Sequence, residues 1–257
     1  MRKVFATDLD NTLIYSYKHQ LKSDVCVETR QGKNQGFMSK AVYDALPYLS
    51  KYFDIVPITT RSIEQFERIT LPESVVKRAM VANGAVEYDM TTKSTKKTRD
   101  QTEQCEAELN RVYQILLEDP DVRITRYVDG AYVYASFESD QIARDVADHI
   151  ASVIPAIISH RKLYYIPPYY SKQSAIKSLR DNYDYIICAG DSELDICMLN
   201  EADLAIVPSS LASQIKTSVL ICPDHMRLSD YVAICLLNMA EVSVGDNYEQ
   251  NQTKITK

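Results

Sequence analysis

Asp8 and Asp10 stand one residue apart in "VFATDLDNTL", directly after an apolar run. Two carboxylates at the end of a buried strand repel one another and lose hydration. A divalent cation and a neighbouring lysine would make such clustered acids tolerable. The chain offers further candidates at comparable places: Thr59 and Arg61 in "VPITTR", Lys172 in "SKQSAIKSL", and Asp191 and Asp195 in "AGDSELD". They are far apart along the chain, so their use depends on a fold that gathers them at one edge.

The elements that would do this are visible as short apolar runs, each followed by a polar turn and a helix-like pattern. Strands are predicted at Lys3 to Thr7, Asp54 to Thr59, Ala79 to Ala82, Asp184 to Ala189 and Asp203 to Val207. Helical spacing of apolar residues runs through 40–50, 62–70, 172–182, 193–200 and 227–240. Alternation of this kind signals a parallel sheet with helices on both faces. In such a sheet, ligands bind beyond the carboxyl ends of the strands, where every candidate above falls at a strand end or a helix start.

The middle of the chain follows another pattern. "VRITRYVDGAYVYASFE" is two alternating strands around Asp129-Gly130, a dipeptide suited to a tight hairpin turn. Predicted helices at 101–118 and 139–153 flank it, and a strand or strand pair over 156–166 closes it. The expected organisation is therefore a parallel-sheet α/β core from 1–84 and 167–241, an inserted α+β cap from 85–166, and a polar, aperiodic, flexible tail from 242–257. The basic run "KSTKKTRD" at 93–100 reads as a solvated hairpin tip. The aromatic cluster "KLYYIPPYYSK" reads mainly as packing between cap and core.

Bulk properties narrow the function. The 257 residues are 46% hydrophobic and 25% charged with net charge -6, ordinary for a globular protein and contrary to a nucleic-acid footprint. An acidic surface also disfavours anionic membranes. No apolar run is long enough to span a bilayer, and "MRKVFATDLD" reaches acids too early for a signal peptide, so a cytoplasmic location is expected. Six scattered cysteines without a C-x-x-C pair read as free thiols, and the four histidines show no metal spacing.

In order and strand context, "DLDNT", "VPITTR", "SKQSAIKSL" and "AGDSELD" resemble the four motifs of the haloacid-dehalogenase-like hydrolase superfamily, in the subclass with a large α/β cap between the second and third motifs. The resemblance covers 3 to about 240. It implies a Rossmann-like α/β core with an inserted α+β cap, and Mg²⁺-dependent hydrolysis of a small phosphorylated metabolite, a sugar phosphate being the commonest substrate of similarly capped relatives. Carried over, it makes Asp8 the nucleophile that forms an aspartyl-phosphate, and Asp10 the acid that protonates the leaving oxygen and then activates water.

Thr59 would hydrogen-bond a phosphoryl oxygen and Lys172 would offset charge on nucleophile and phosphoryl group. Mg²⁺ would be held by Asp8, Asp191 and the backbone carbonyl of Asp10, with Asp195 as a water-mediated ligand or a support for Lys172. Asp10 fits phosphatases and phosphomutases, whereas dehalogenases lack an acid there and cation-pumping ATPases carry threonine. Thr60 and Leu194 depart from the glycine and asparagine usual in capped relatives. Arg61 and Arg161 are candidate substrate-binding residues, and the turn around His160 and Arg161 or the strand bearing Arg123 and Arg126 is expected to choose the substrate. A phosphomutase, or a non-catalytic phosphometabolite-binding protein, remains an open alternative.

Overall fold

The computed structural model describes residues 1–159 and 161–255, with side chains described through Glu241. Five parallel strands form the central sheet, in the order Ser218–Cys222, Leu204–Pro208, Tyr185–Ala189, Lys3–Thr7 and Asp54–Pro57. Arg78–Val81 continues it beyond Asp54–Pro57 through a parallel bridge between Ile58 and Met80. Alternation along each strand divides the core into two layers. Phe5 and Ile187 point to one face with Leu46 and Leu49 of helix Lys40–Leu49 and Val232 and Leu236 of the C-terminal helix. Val4, Ala6, Ile186 and Cys188 point to the other, against Ile176 and Leu179 of helix Lys172–Arg180. Both faces are covered, which is why these strands read as continuous apolar runs.

The cap is a four-stranded antiparallel sheet ordered Ala156–Ser159, Lys162–Tyr165, Tyr132–Ser136 and Ile124–Val128. One of its faces, with Val133, Ala135, Leu163 and Tyr165, is buried under helices Glu103–Glu118 and Asp140–His149 through Leu109, Val112 and Val146. Each helix is started by a hydroxyl: Thr102 accepts from the Cys105 amide and Ser139 from the Ile142 amide. The hairpin turns at Asp129 and Gly130, both in the left-handed region at φ 48° and 64°.

Several features depart from the sequence pattern. Tyr15–Ser16, Val25–Arg30 and Lys33–Met38 form a three-stranded antiparallel sheet before the first core helix, in a stretch where no strands are expected. Val86–Asp89 and Thr95–Lys97 lie within the stretch assigned to the cap, yet Val86–Asp89 pairs with the core strand Arg78–Val81 and Thr95–Lys97 pairs in turn with Val86–Asp89. The strand Ser218–Cys222 is an additional edge strand. The last helix runs from Leu228 to Ile255, through most of the stretch expected to be an aperiodic tail. Elongating an existing helix carries no nucleation cost, so weak periodicity does not end it. Residues 256–257 and His160 lie outside the described residues. All six cysteines are free thiols. Among the described residues, no helix is long and apolar enough to cross a membrane.

Candidate active site

Asp8 is the first residue past the strand Lys3–Thr7, and its amide donates to the Ala189 carbonyl at 2.9 Å, so the first and fourth motifs are pinned side by side. Lys172 opens the helix Lys172–Arg180, whose N-cap Ser171 and Ser174 form a reciprocal capping box. The lysine is only 2% exposed. Its Nζ donates to Asp8 Oδ1 at 2.5 Å and to Asp195 Oδ1 at 2.6 Å.

Asp195 is fully engaged. Its Oδ2 accepts from the Asp191 amide at 3.1 Å, the Ser192 amide at 3.0 Å and the Ser192 hydroxyl at 2.8 Å. It therefore orients Lys172 and the fourth-motif turn, and the N-cap of that turn is Ser192. Gly190 is what permits this. A Cβ there would lie 2.5 Å from Asp195 Cβ, so any side chain would push the turn off the strand end. Asp191 is reached from the first-motif loop by the Thr12 hydroxyl at 3.2 Å.

Asp8, Asp191 and Asp195 each offer a carboxylate oxygen within 4.8 Å of the others. If all three were ionised, three carboxylates against one ammonium would leave an excess of two negative charges. Burial, opposed by Lys172 and reinforced by Asp195 and Asp10, raises the Asp8 carboxyl to about 8. Burial and the Asp195 charge raise Asp191 to about 6. Burial alone would lower the pKa of Lys172, but Asp195 and Asp8 outweigh it and hold the ammonium protonated. A hard divalent cation fits this donor set, since it would cancel the excess charge through oxygen ligands that are otherwise costly to ionise.

Thr59 continues the neighbouring strand and is wholly buried. The Ile58 amide donates to the Thr7 carbonyl at 2.7 Å, which brings Thr59 to the strand end beside Asp8. Its hydroxyl accepts from the Arg61 amide at 3.1 Å, leaving its own proton available to an oxygen in the site. Arg61 is not a free cation. It holds Asp10 in a two-pronged ion pair, Nε to Oδ2 at 2.9 Å and Nη2 to Oδ1 at 2.7 Å, and also donates to Glu28 at 2.9 Å. Burial opposes ionisation of Asp10, but the Arg61 hydrogen bonds and charge, aided by Lys162 and Lys172, hold it below the usual carboxylate range.

A cleft of about 820 Å³ opens from Asp10 and Arg61 between the core, the small sheet of Val25–Arg30 and the cap. The cap closes over it through two bonds, one to the second motif and one to the helix start just after it. The Tyr132 hydroxyl donates to the Thr60 carbonyl at 2.5 Å, and Asp129 accepts from the Ile63 amide at 2.9 Å. Of the residues expected to choose the substrate, Arg126 lines the cleft, while Arg123 pairs with Glu138.

Arg161 is exposed in the turn before Lys162–Tyr165, and the cleft wall is lined beside it by Lys162. Glu28, Lys162, Tyr132, Tyr134 and Tyr164 line the cleft and are absent from the sequence-derived site. For the cap residues the period-2 pattern carried the signal; for Glu28 it was an acid in an otherwise half-apolar strand. In the aromatic cluster, Tyr165 packs inside the cap, the Tyr170 hydroxyl donates to the Arg99 carbonyl at 2.7 Å, and Tyr164 faces the cleft.

No family model and no curated protein matches this sequence. Solved structures do match its fold. A trehalose-6-phosphate phosphatase related protein superposes with a TM-score of 0.61 at 18% identity, over 95% of this chain and 99% of that one. This chain has the haloacid-dehalogenase-like fold. A subclass IIB sugar phosphatase of that superfamily gives a TM-score of 0.59 at 13% identity, covering 90% and 97%. Trehalose-6-phosphate phosphatase of Aspergillus fumigatus gives 0.55 at 12% identity, covering 93% and 92%. These neighbours share core and cap together, so the resemblance of the four motifs extends to the architecture that holds them.

Proposed function

We propose that this protein is a Mg²⁺-dependent phosphatase of small phosphomonoesters, with a sugar phosphate or a similar cytoplasmic metabolite as substrate. The observation that carries the proposal is the buried constellation of Asp8, Lys172, Asp195 and Asp191 at the strand ends, beside the Thr59 hydroxyl. The phosphatase neighbours, one of them described as a sugar phosphatase, agree with it.

In this reading Asp8 attacks phosphorus and carries the phosphoryl group as an acyl phosphate, splitting one slow displacement into two steps. Lys172 lies 2.5 Å from Asp8, close enough to offset charge on the nucleophile and on the incoming phosphoryl oxygens. Thr59 donates its hydroxyl proton to one of those oxygens. The first step needs Asp10 neutral, to give its proton to the leaving oxygen, and the attacking water returns that proton in the second; Arg61 aims the carboxylate and favours its ionised form, the one that accepts the proton of water. Asp8 and Asp191, with the Asp10 backbone, would hold Mg²⁺, which when bound neutralises phosphoryl charge. The cap over the strand ends keeps bulky phosphoproteins from the cleft.

A phosphate-release screen over phosphorylated metabolites tests this. Activity should require Mg²⁺, disappear in EDTA, return on adding Mg²⁺, and be lost in Asp8→Asn with the fold retained. Full activity in EDTA or in Asp8→Asn would overturn the proposal. Isomerised substrate with no free phosphate would favour a phosphomutase.

A further inference from the structure

The cap presents one ordered face to the cleft. Tyr134 stands directly opposite Arg126 on one neighbouring strand and Tyr164 on the other, so the three form a row across the sheet. The rings of Tyr134 and Tyr164 are 5.4 Å apart, tilted at 50°. Lys162, two residues before Tyr164, shares that face one step along the strand, about 7 Å away.

The cations of the cleft are not equivalent. Arg61 is taken by Asp10 and Glu28, and Arg68 by Glu28. The half-buried Arg126 guanidinium has no hydrogen-bond or ion-pair partner among the described residues. Lys162 lies near enough to Asp10 to stabilise its charge, yet donates no hydrogen bond there. Meanwhile the one carboxylate that the cap contributes to the cleft wall among the described residues, Asp129, is occupied by the Ile63 amide, and no described cap asparagine or glutamine lines it. The tyrosine hydroxyls of this face both accept and donate, and so can read sugar hydroxyls. The two free cations call for an anion besides, since a planar guanidinium pairs best with a carboxylate or phosphate.

We infer that the leaving group of the substrate carries a second anionic group, a carboxylate or a second phosphate, received by Arg126 with Lys162 while its carbon frame lies against Tyr134 and Tyr164. This rests on the phosphatase reading and adds the substrate class to it. A substrate with one phosphate and a neutral body would leave Arg126 unpaired in the cleft. One with two anions satisfies the lysine–aspartate site at one end and the arginine at the other.

The test uses Asp8→Asn protein with Mg²⁺, which binds without turnover, and three probes of one ring: glucose 1-phosphate, glucuronic acid 1-phosphate and glucose 1,6-bisphosphate. Calorimetry should show the second or third probe binding about 10- to 100-fold tighter than the first, the worth of one charge-assisted contact. Which of the two wins identifies the anion. Arg126→Ala should bring the three affinities together, and Arg126→Lys should restore part of the spread. Equal affinities in the parent protein, tighter binding of glucose 1-phosphate, or an equal loss for all three probes in Arg126→Ala would overturn the inference. Turnover of p-nitrophenyl phosphate by the wild-type protein tests the phosphatase reading separately. If it is hydrolysed while the probes bind alike, only the second-anion inference fails.

Discussion

Lys172 is the residue whose removal should reveal most about how the site is held. Methionine keeps most of the stem volume but deletes the ammonium that joins Asp8 and Asp195 at 2.5 and 2.6 Å, both in a pocket where the lysine is 2% exposed. Breaking a buried ion pair by removing one partner costs about 3–5 kcal/mol, because the remaining charge loses its compensation. At about 2–4 °C per kcal/mol for a chain of this size, Lys172→Met should lower Tm in EDTA by roughly 6–20 °C.

The variant has one escape, which is to bind a proton on Asp8, already raised to about 8 by burial. Taking up that proton is easier in acid, so the deficit should be smaller at pH 6 than at pH 8. Asp195→Asn added to Lys172→Met should recover part of the loss, since it removes one of the uncompensated charges, whereas Asp195→Asn alone should destabilise. Differential scanning calorimetry across that pH range and that mutant cycle supplies the assay. A Lys172→Met protein within about 2 °C of wild type, or strictly additive effects in the cycle, would refute the view that these three side chains act as one buried charge unit.

Two further expectations concern charge. Asp8 and Asp191 bind protons more tightly in the fold than in the unfolded chain, at about 8 and about 6, so the metal-free protein should lose stability as pH rises from about 4 to 8. Mg²⁺ should cancel that loss, and the Tm gain on adding Mg²⁺ should grow between pH 6 and 8; a gain that stays flat or shrinks would contradict the proposed cation site. Arg61→Met should free Asp10 from its two-pronged ion pair and move the kinetic limb belonging to Asp10 to higher pH, and an unmoved limb would show that Arg61 does not set its ionisation.

Much of the arrangement was legible because it is local. Lys3 to Thr7 ends where Asp8 begins, and Tyr185–Ala189 ends just before Gly190 and Asp191. A strand buried on both faces announces itself as a short apolar run, and its end locates the residues that follow. The small sheet of Tyr15–Ser16, Val25–Arg30 and Lys33–Met38 was not legible. Its pairing has register shifts between Cys26 and Glu28 and between Glu28 and Thr29, which break the alternation that sequence patterns depend on. The same strand carries Glu28, whose partner Arg61 is 33 residues away.

Nor did any local pattern show that Arg61 would grip Asp10, 51 residues away, instead of remaining free for substrate. Nor did a local pattern show that Lys162, the first residue of its strand, would line the cleft beside the exposed turn residue Arg161. Four motifs locate the reacting end of the site, whereas the leaving-group end is written in cross-strand register, as in the row of Arg126, Tyr134 and Tyr164.

The role of Asp8 can be read directly by quenching the protein in acid during turnover of a phosphomonoester with Mg²⁺ and mapping phosphate by peptide mass spectrometry. The acyl phosphate should appear on the peptide containing "VFATDLDNTL", at Asp8, and be absent from Asp8→Asn. Turnover with phosphate on a different side chain, or at an undiminished rate in Asp8→Asn, would show that Asp8 is not the nucleophile.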